Sequence, residues 1–293
     1  VNIDVHVHPQ FVEPQQGNIS PQLDTKKLDV VANPQHFPIA LGQTSQCYFQ
    51  RNHVMLGLPE FINQMNKARI DRAVLVNPAI KGVPVRPVNE GVAELLKTYP
   101  DRFIGFAGFD PNTGAQAVDE IEYAVEELGF SGIKSVASAL ELDINDGAFY
   151  PCYSKAEELG IPILIHTGSV IVKGVRVKHV HPLMVDDVAF DFPDLKIICA
   201  HLGGWQYLDA ISMLLRHRNV FADLSFWPLN PLYSGFVPWS LLEQTVSDKI
   251  LLGSDYPAGQ TPREAVEAVK KLPVSQSFKE KILGKNAAAV LGL

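Results

Sequence analysis

The sequence predicts a closed (β/α)8 barrel, an α/β fold in which eight parallel strands alternate with helices. Three observations point to it. Eight short apolar runs recur along the 293 residues, and helix-like stretches separate them. Several runs are apolar on both faces, as in IPILIH and KIICAH, which is what a parallel strand covered on both sides requires. The length suits a barrel of this kind, which takes about 250 residues plus insertions. No internal repeat or second-domain boundary interrupts the pattern, so residues 1–293 read as a single domain.

In chain order the runs are Ile3–His8, Ala73–Asn77, Phe103–Phe109, Gly132–Val136, Ile161–His166, Lys196–His201, Val220–Leu224 and Ile250–Ser254. Between them, Ala117–Gly129 sets Val118, Ile121, Val125 and Leu128 on one side of a helix, with Asp119, Glu120, Glu122 and Glu126 mostly elsewhere and Gly129 as the stop. Phe149–Leu159, Trp205–Arg216 and Pro262–Lys271 read as further helices, and Phe278–Leu291 as a closing one. An open doubly wound sheet is the competing architecture. It would show a Gly-rich phosphate loop after its first strand, and HVHPQF is not one.

One segment breaks the rhythm. From Gln10 to about Pro59 the chain is rich in Pro, Gln and Asn and only weakly periodic. In a barrel this long insertion follows strand one, on the catalytic face, where it reads as a lid or binding insert.

Composition narrows the function. Hydrophobic residues make up 46% of the chain, enough for a large core, and the formal charge is −7 with no long basic run. Nucleic acid is therefore not an expected partner. No apolar stretch approaches the roughly 18 residues of a membrane span. The start, VNIDVHVHP, is strand-like and lacks the basic region of a retained signal peptide. Cys47, Cys152 and Cys199 form no CxxC pair, and Cys199 sits in an apolar run as a small hydrophobe. An odd count without spacing points to a reducing compartment, and a cytoplasmic location is expected.

The chemistry begins with His6 and His8. Two residues apart in a strand, they share a face with Asp4, while Val5 and Val7 point the other way. Two imidazoles on one inward face are costly to bury unless their nitrogens find partners, and metal ligation supplies them. Further polar groups have a common address. His166 ends PILIH, His201 ends IICAH, Asp255 ends ILLGSD and Lys134 ends GIK. Each lies at the C-terminal end of a strand, the rim where catalytic groups of such barrels converge.

With these residues in place, the chain resembles the amidohydrolase superfamily, and within it the amidohydrolase-2 branch that includes aminocarboxymuconate semialdehyde decarboxylase. The resemblance rests on IDVHVH, GIK, LGIPILIHTG, DFPDLKIICAHLGGW, NVFADLS, ILLGSDYP and ILGKNAAAVLGL, in this order from residue 3 to residue 293. It implies a (β/α)8 barrel and usually one divalent metal ion rather than two. By position it implies His6, His8, His166 and Asp255 as ligands and His201 as a nearby acid or base. It also suggests a homodimer.

Imidazole and carboxylate ligands suit zinc most simply, with manganese or iron as alternatives, and no thiolate is present to demand a soft metal. A bound water would be acidified to a pKa of about 7, with Asp255 placed to take its proton and His201 to polarise or protonate the substrate. Lys134 is open to three readings. It is a free ammonium holding a substrate carboxylate, a carbamylated bridge between two metals with His201 as co-ligand, or a structural ion pair. Arg51 in the insertion is a candidate carboxylate clamp. Trp205, Trp227 and Tyr256 follow strand ends and are candidates to line an apolar pocket. His179 and His181, in KHVHP, read as a surface loop or pocket rim.

The expected function is a metal-dependent hydrolase acting on a small, carboxylate-bearing organic acid, lactone or amide through metal-activated water. The lean toward hydrolysis rests on Lys134. The alternative is a non-oxidative decarboxylase, a carboxy-lyase built on the same ligands. A non-catalytic metal-binding barrel is the third reading, disfavoured because no ligand position is lost.

Overall fold

Runs that are apolar on both faces can only be buried on both faces, and each of the eight becomes a strand. The structure is a computed structural model that describes residues 1–9, 56–168, 175–230 and 233–293. The strands are β1 (Ile3–Val7), β2 (Arg72–Val76), β3 (Phe103–Gly108), β4 (Gly132–Ser135), β5 (Ile163–Ile165), β6 (Ile197–Cys199), β7 (Val220–Asp223) and β8 (Ile250–Leu251). They pair in parallel in chain order. Val5 N donates to Leu252 O at 2.9 Å, Asp255 N to His6 O at 2.8 Å and His8 N to Tyr256 O at 2.8 Å, bringing the chain around β8 against β1. The sequence expectation of a (β/α)8 barrel therefore holds. Every strand stops short of its apolar run; His8, His166, His201 and Asp255 lie just past the ladder, while His6, Lys134 and Asp223 are carried by the strands themselves.

Side chains alternate between two apolar clusters. Ala73 and Leu75 join helix residues Phe61, Met65 and Val92 in the larger one. Val74 and Val76 join Ile104, Phe106, Leu164 and Ile198 in the smaller one. Lys134 is paired in register with Leu164 and so shares the strand face of the smaller cluster.

The helices are α1 (Leu58–Ala68), α2 (Val85–Thr98), α3 (Ala115–Glu126), α4 (Tyr150–Glu158), α5 (Val185–Asp191), α6 (Tyr207–Arg216), α7 (Trp239–Thr245), α8 (Pro262–Lys271), α9 (Gln276–Glu280) and α10 (Asn286–Leu291). Sequence periodicity finds α3, α4, α6 and α8. It misses α2, whose Pro87 and Gly91 are weak helix formers overridden by the burial of Val88, Val92, Leu95 and Leu96. The expected closing helix at 278–291 is split: a π-helical turn, Lys281–Lys285, separates α9 from α10. Gly284 in that turn lies so close to the N-terminus that a Cβ would stand 1.9 Å from Val1 O. Trp205 falls outside α6, in the irregular segment Ala200–Gln206. Arg51, Cys47 and most of the insertion after β1 lie outside the described residues. Cys152 and Cys199 are free and buried. Among the described residues, no helix is long and apolar enough to cross a membrane.

Candidate metal centre

The structure brings the rim residues expected from the sequence near one another, with His166 outside the tight group of ligand atoms that His6, His8 and Asp255 form. His6 Nε2 stands 3.4 Å from Asp255 Oδ1, and His8 Nε2 stands 3.2 Å from the same oxygen. Ligand atoms of His6, His8 and Asp255 all lie within 4.8 Å of one another. His166, just past β5, places Nδ1 3.2 Å from His201 Nε2. The rings of His201 and His6 are 5.1 Å apart between centroids. Lys134 Nζ reaches to 3.3 Å from His6 Nε2 and is fully buried. A surface ion pair for Lys134 is thereby ruled out.

Local backbone aims these groups. His201 has φ of 60° and Asp255 φ of 56°, left-handed conformations that non-glycine residues rarely adopt and that concentrate at functional sites. Neighbouring Gly168 (φ 84°) is required for a different reason. A Cβ there would stand 2.0 Å from Gly203 O, where the loops after β5 and β6 touch. Gly168→Ala is expected to cost on the order of 3 kcal/mol from strain plus overpacking. At about 2–4 °C per kcal/mol for a chain of this size, thermal unfolding should fall by roughly 10 °C. An unchanged Tm by calorimetry would contradict this.

Burial dominates the electrostatics. It drives His6 down to about 4, with the nearby Lys134 adding to the effect, and it pushes His166 well below its ordinary value. Burial likewise lowers His201 and brings Lys134 down to about 8. For Asp223 and Asp255 burial acts upward, but His6 and the surrounding imidazoles outweigh it, and both carboxyls are held well below the usual carboxylate range. At neutral pH His6, His166 and His201 are held neutral and Asp223 and Asp255 ionised, the protonation state a divalent cation needs. Asp4, beneath them, is raised by burial to about 7 against hydrogen bonds from Ser254 and His6.

Two residues here were not singled out by sequence: Asp223, at the end of β7, and Ser225. Asp223 Oδ2 lies 3.0 Å from His6 Nδ1. Asp223 Oδ1 accepts from the backbone N–H groups of His201 (3.1 Å) and Ser225 (2.8 Å) and from the Ser225 hydroxyl. The available signal was the same strand-end address that found the others, since Asp223 closes the run VFAD.

The donor set fits a divalent ion. With one nitrogen of His6 on Asp223, the other is turned toward Asp255 and His8, the carboxylate–histidine arrangement common behind metal ligands. His166 Nε2 is buried without a hydrogen-bond partner, and an orphaned imidazole nitrogen beside a carboxylate cluster is what a missing cation would satisfy. His6, His201 and Asp223 form a second group of candidate ligand atoms, but those atoms already bond to one another or to Ser225.

The pocket candidates separate. Tyr256 is buried in the strand–helix layer against Phe61, its hydroxyl accepting from Leu56 N at 2.5 Å, so it packs rather than lining the mouth. Trp227 meets Trp205 at a tilt and Tyr233 edge-to-face in an aromatic cleft, and Phe226 links that cleft to the His201 ring at 6.1 Å. His179 pairs with Asp143 at 2.5 Å and His181 lies 3.6 Å from Asp209, both away from the centre.

The family model described as amidohydrolase matches residues 3–293. The chain is 24% identical over 274 residues to a 2-amino-3-carboxymuconate-6-semialdehyde decarboxylase of Dictyostelium discoideum, covering 79% of this chain and 76% of that one. It superposes on a 2,6-dihydroxybenzoate decarboxylase solved with 2,6-dihydroxybenzoate with a TM-score of 0.71 at 18% identity, covering 100% of this chain and 99% of that one. A dihydroxybenzoic acid decarboxylase of a Polaromonas species, solved with manganese and 2-nitroresorcinol, superposes with a TM-score of 0.68 at 18% identity over 100% of this chain and 97% of that one.

Proposed function

We propose that this chain, which belongs to the amidohydrolase family, is a metal-dependent carboxy-lyase that removes CO2 from a small carboxylated ring or enoic acid. The observation that carries this reading is Lys134. A fully buried ammonium beside the metal ligands calls for an anion between it and the cation, and a substrate carboxylate is such an anion. This displaces the hydrolase expectation, which leaned on the same lysine. The decarboxylase relatives support the same choice.

His6, His8, His166 and Asp255 would hold one ion, manganese or zinc by the character of the donors. That ion supplies positive charge that orients the substrate and steadies the charge left as CO2 departs. Lys134 donates to the substrate's anionic group. When the carbon–carbon bond breaks, its electron pair stays on the substrate carbon, which takes a proton from the Lys134 ammonium, and solvent later returns that proton to the amine. Burial of His6 and Lys134 keeps water from screening these charges.

The test is a metal-reconstituted screen of hydroxylated aromatic carboxylates, enoic acids, lactones and amides, following CO2 and proton release together. CO2 stoichiometric with carboxylate consumed is expected. Lactone or amide cleavage without CO2 would restore the hydrolase.

A further inference from the structure

We propose that Asp223 and Ser225 form a hydrogen-bond relay that fixes the tautomers of three histidines and thereby aims the lone pairs of His6 and His166 at the metal centre. The inference rests on the reading above only in taking those two residues as ligands.

The relay follows from counting hydrogens. Asp223 Oδ1 receives two backbone N–H groups, so the carboxylate is an acceptor. Its other oxygen, 3.0 Å from His6 Nδ1, therefore calls for a proton on that nitrogen. His6 Nε2 is left as a lone pair, 3.3 Å from Lys134 Nζ and 3.4 Å from Asp255 Oδ1.

The second branch is longer. A hydroxyl has one hydrogen, and Ser225 gives its own to Asp223 Oδ1. Toward His201 Nδ1, at 2.8 Å, the Ser225 oxygen can then only accept. The Ser225 carbonyl, 3.3 Å from the same nitrogen, is another acceptor. Both call for N–H at His201 Nδ1, which leaves His201 Nε2 as a lone pair. That lone pair faces His166 Nδ1 at 3.2 Å, so His166 carries its proton there. What remains is His166 Nε2, bare, buried and without a partner. One carboxylate on β7 thus sets a ligand on β1 directly and a ligand beyond β5 through two intermediaries. His201 becomes a positioning residue that acts through His166, rather than the free acid or base expected from sequence.

The test is two-bond proton–nitrogen correlation NMR on the zinc-loaded enzyme labelled with 15N-histidine, together with zinc affinity by chelator competition. In the unaltered protein, His6, His166 and His201 should all carry their proton on Nδ1. Ser225→Ala should disturb the His201 and His166 patterns, leave the His6 proton on Nδ1 because Asp223 still accepts it although the Ser225 oxygen 3.2 Å away is lost, and weaken zinc by about 10-fold, the lower end for partners behind a metal ligand. Asp223→Asn should disturb all three and weaken zinc by about 100-fold. A proton on Nε2 of His166 or His201 in the unaltered protein overturns the relay, as does Ser225→Ala with unchanged spectra and zinc affinity. If Asp223→Asn does not fold, the other two samples decide. None of these readouts depends on turnover. Failure of the relay leaves the carboxy-lyase reading standing, and failure of CO2 release leaves the relay standing.

Discussion

Asp255→Ala is expected to abolish metal binding and turnover together. Its Oδ1 is the one oxygen shared by His6 Nε2 and His8 Nε2, at 3.4 and 3.2 Å. The carboxylate is also the negative charge that offsets a dication beside the buried Lys134, and alanine leaves that ammonium without it. A cation bound there would lose both a ligand and its charge balance. Partners behind a ligand cost about 10–100-fold in affinity, so a ligand itself should cost more than about 100-fold. Turnover should fall on the order of 10⁴-fold, the scale on which removing one member of a cooperative catalytic unit acts. Metal analysis after gel filtration and a CO2 assay check both. An Asp255→Ala protein that retains one equivalent of metal would remove Asp255 from the ligand set.

Lys134→Met separates catalysis from stability. The ammonium is fully buried and burial lowers it to about 8, so its charge is held at a cost. Methionine has similar length and no charge. Removing one member of a buried charged cluster destabilises when its partners are left uncompensated, but in the metal-loaded protein the dication remains as the counter-charge of Asp223 and Asp255, and Tm should stay level. Turnover should behave oppositely. Losing a donor aimed at developing charge costs about 10²–10³-fold, and kcat/KM should fall by that much while one metal per chain remains. A Lys134→Met enzyme with unaltered kcat/KM would take the lysine out of the mechanism. Loss of metal in this variant would instead favour a carbamate ligand at this position.

These expectations rest on a proposed site whose side chains share an address readable in the sequence. Runs such as KIICAH announce strands because two-sided apolarity has few other uses, and a polar residue closing such a run marks the rim. That one rule located His166, Lys134, His201 and Asp255. It applied equally to Asp223, but a strand-ending aspartate between apolar residues looks unremarkable until its partner is known, and His6 lies 217 residues away. Ser225 was hidden for the same reason. For Tyr256 a position just after a strand end suited a pocket lining and core packing equally. The left-handed backbone at Asp255 instead leads into a residue that packs among the helices. Helix α2 was hidden by Pro87 and Gly91, whose local preference yields to burial of its apolar face. Hydrolysis and decarboxylation could not be separated by residue type, since the same imidazoles and carboxylate serve both. What weighs between them is the buried state of Lys134.

Anomalous diffraction from zinc-loaded crystals tests the central claim most directly. The account predicts one peak per chain, within about 2.0–2.2 Å of nitrogens of His6, His8 and His166 and an oxygen of Asp255, with Lys134 unmodified. Two peaks about 3.5 Å apart bridged by a carbamate on Lys134, or a single peak away from these four residues, would contradict it.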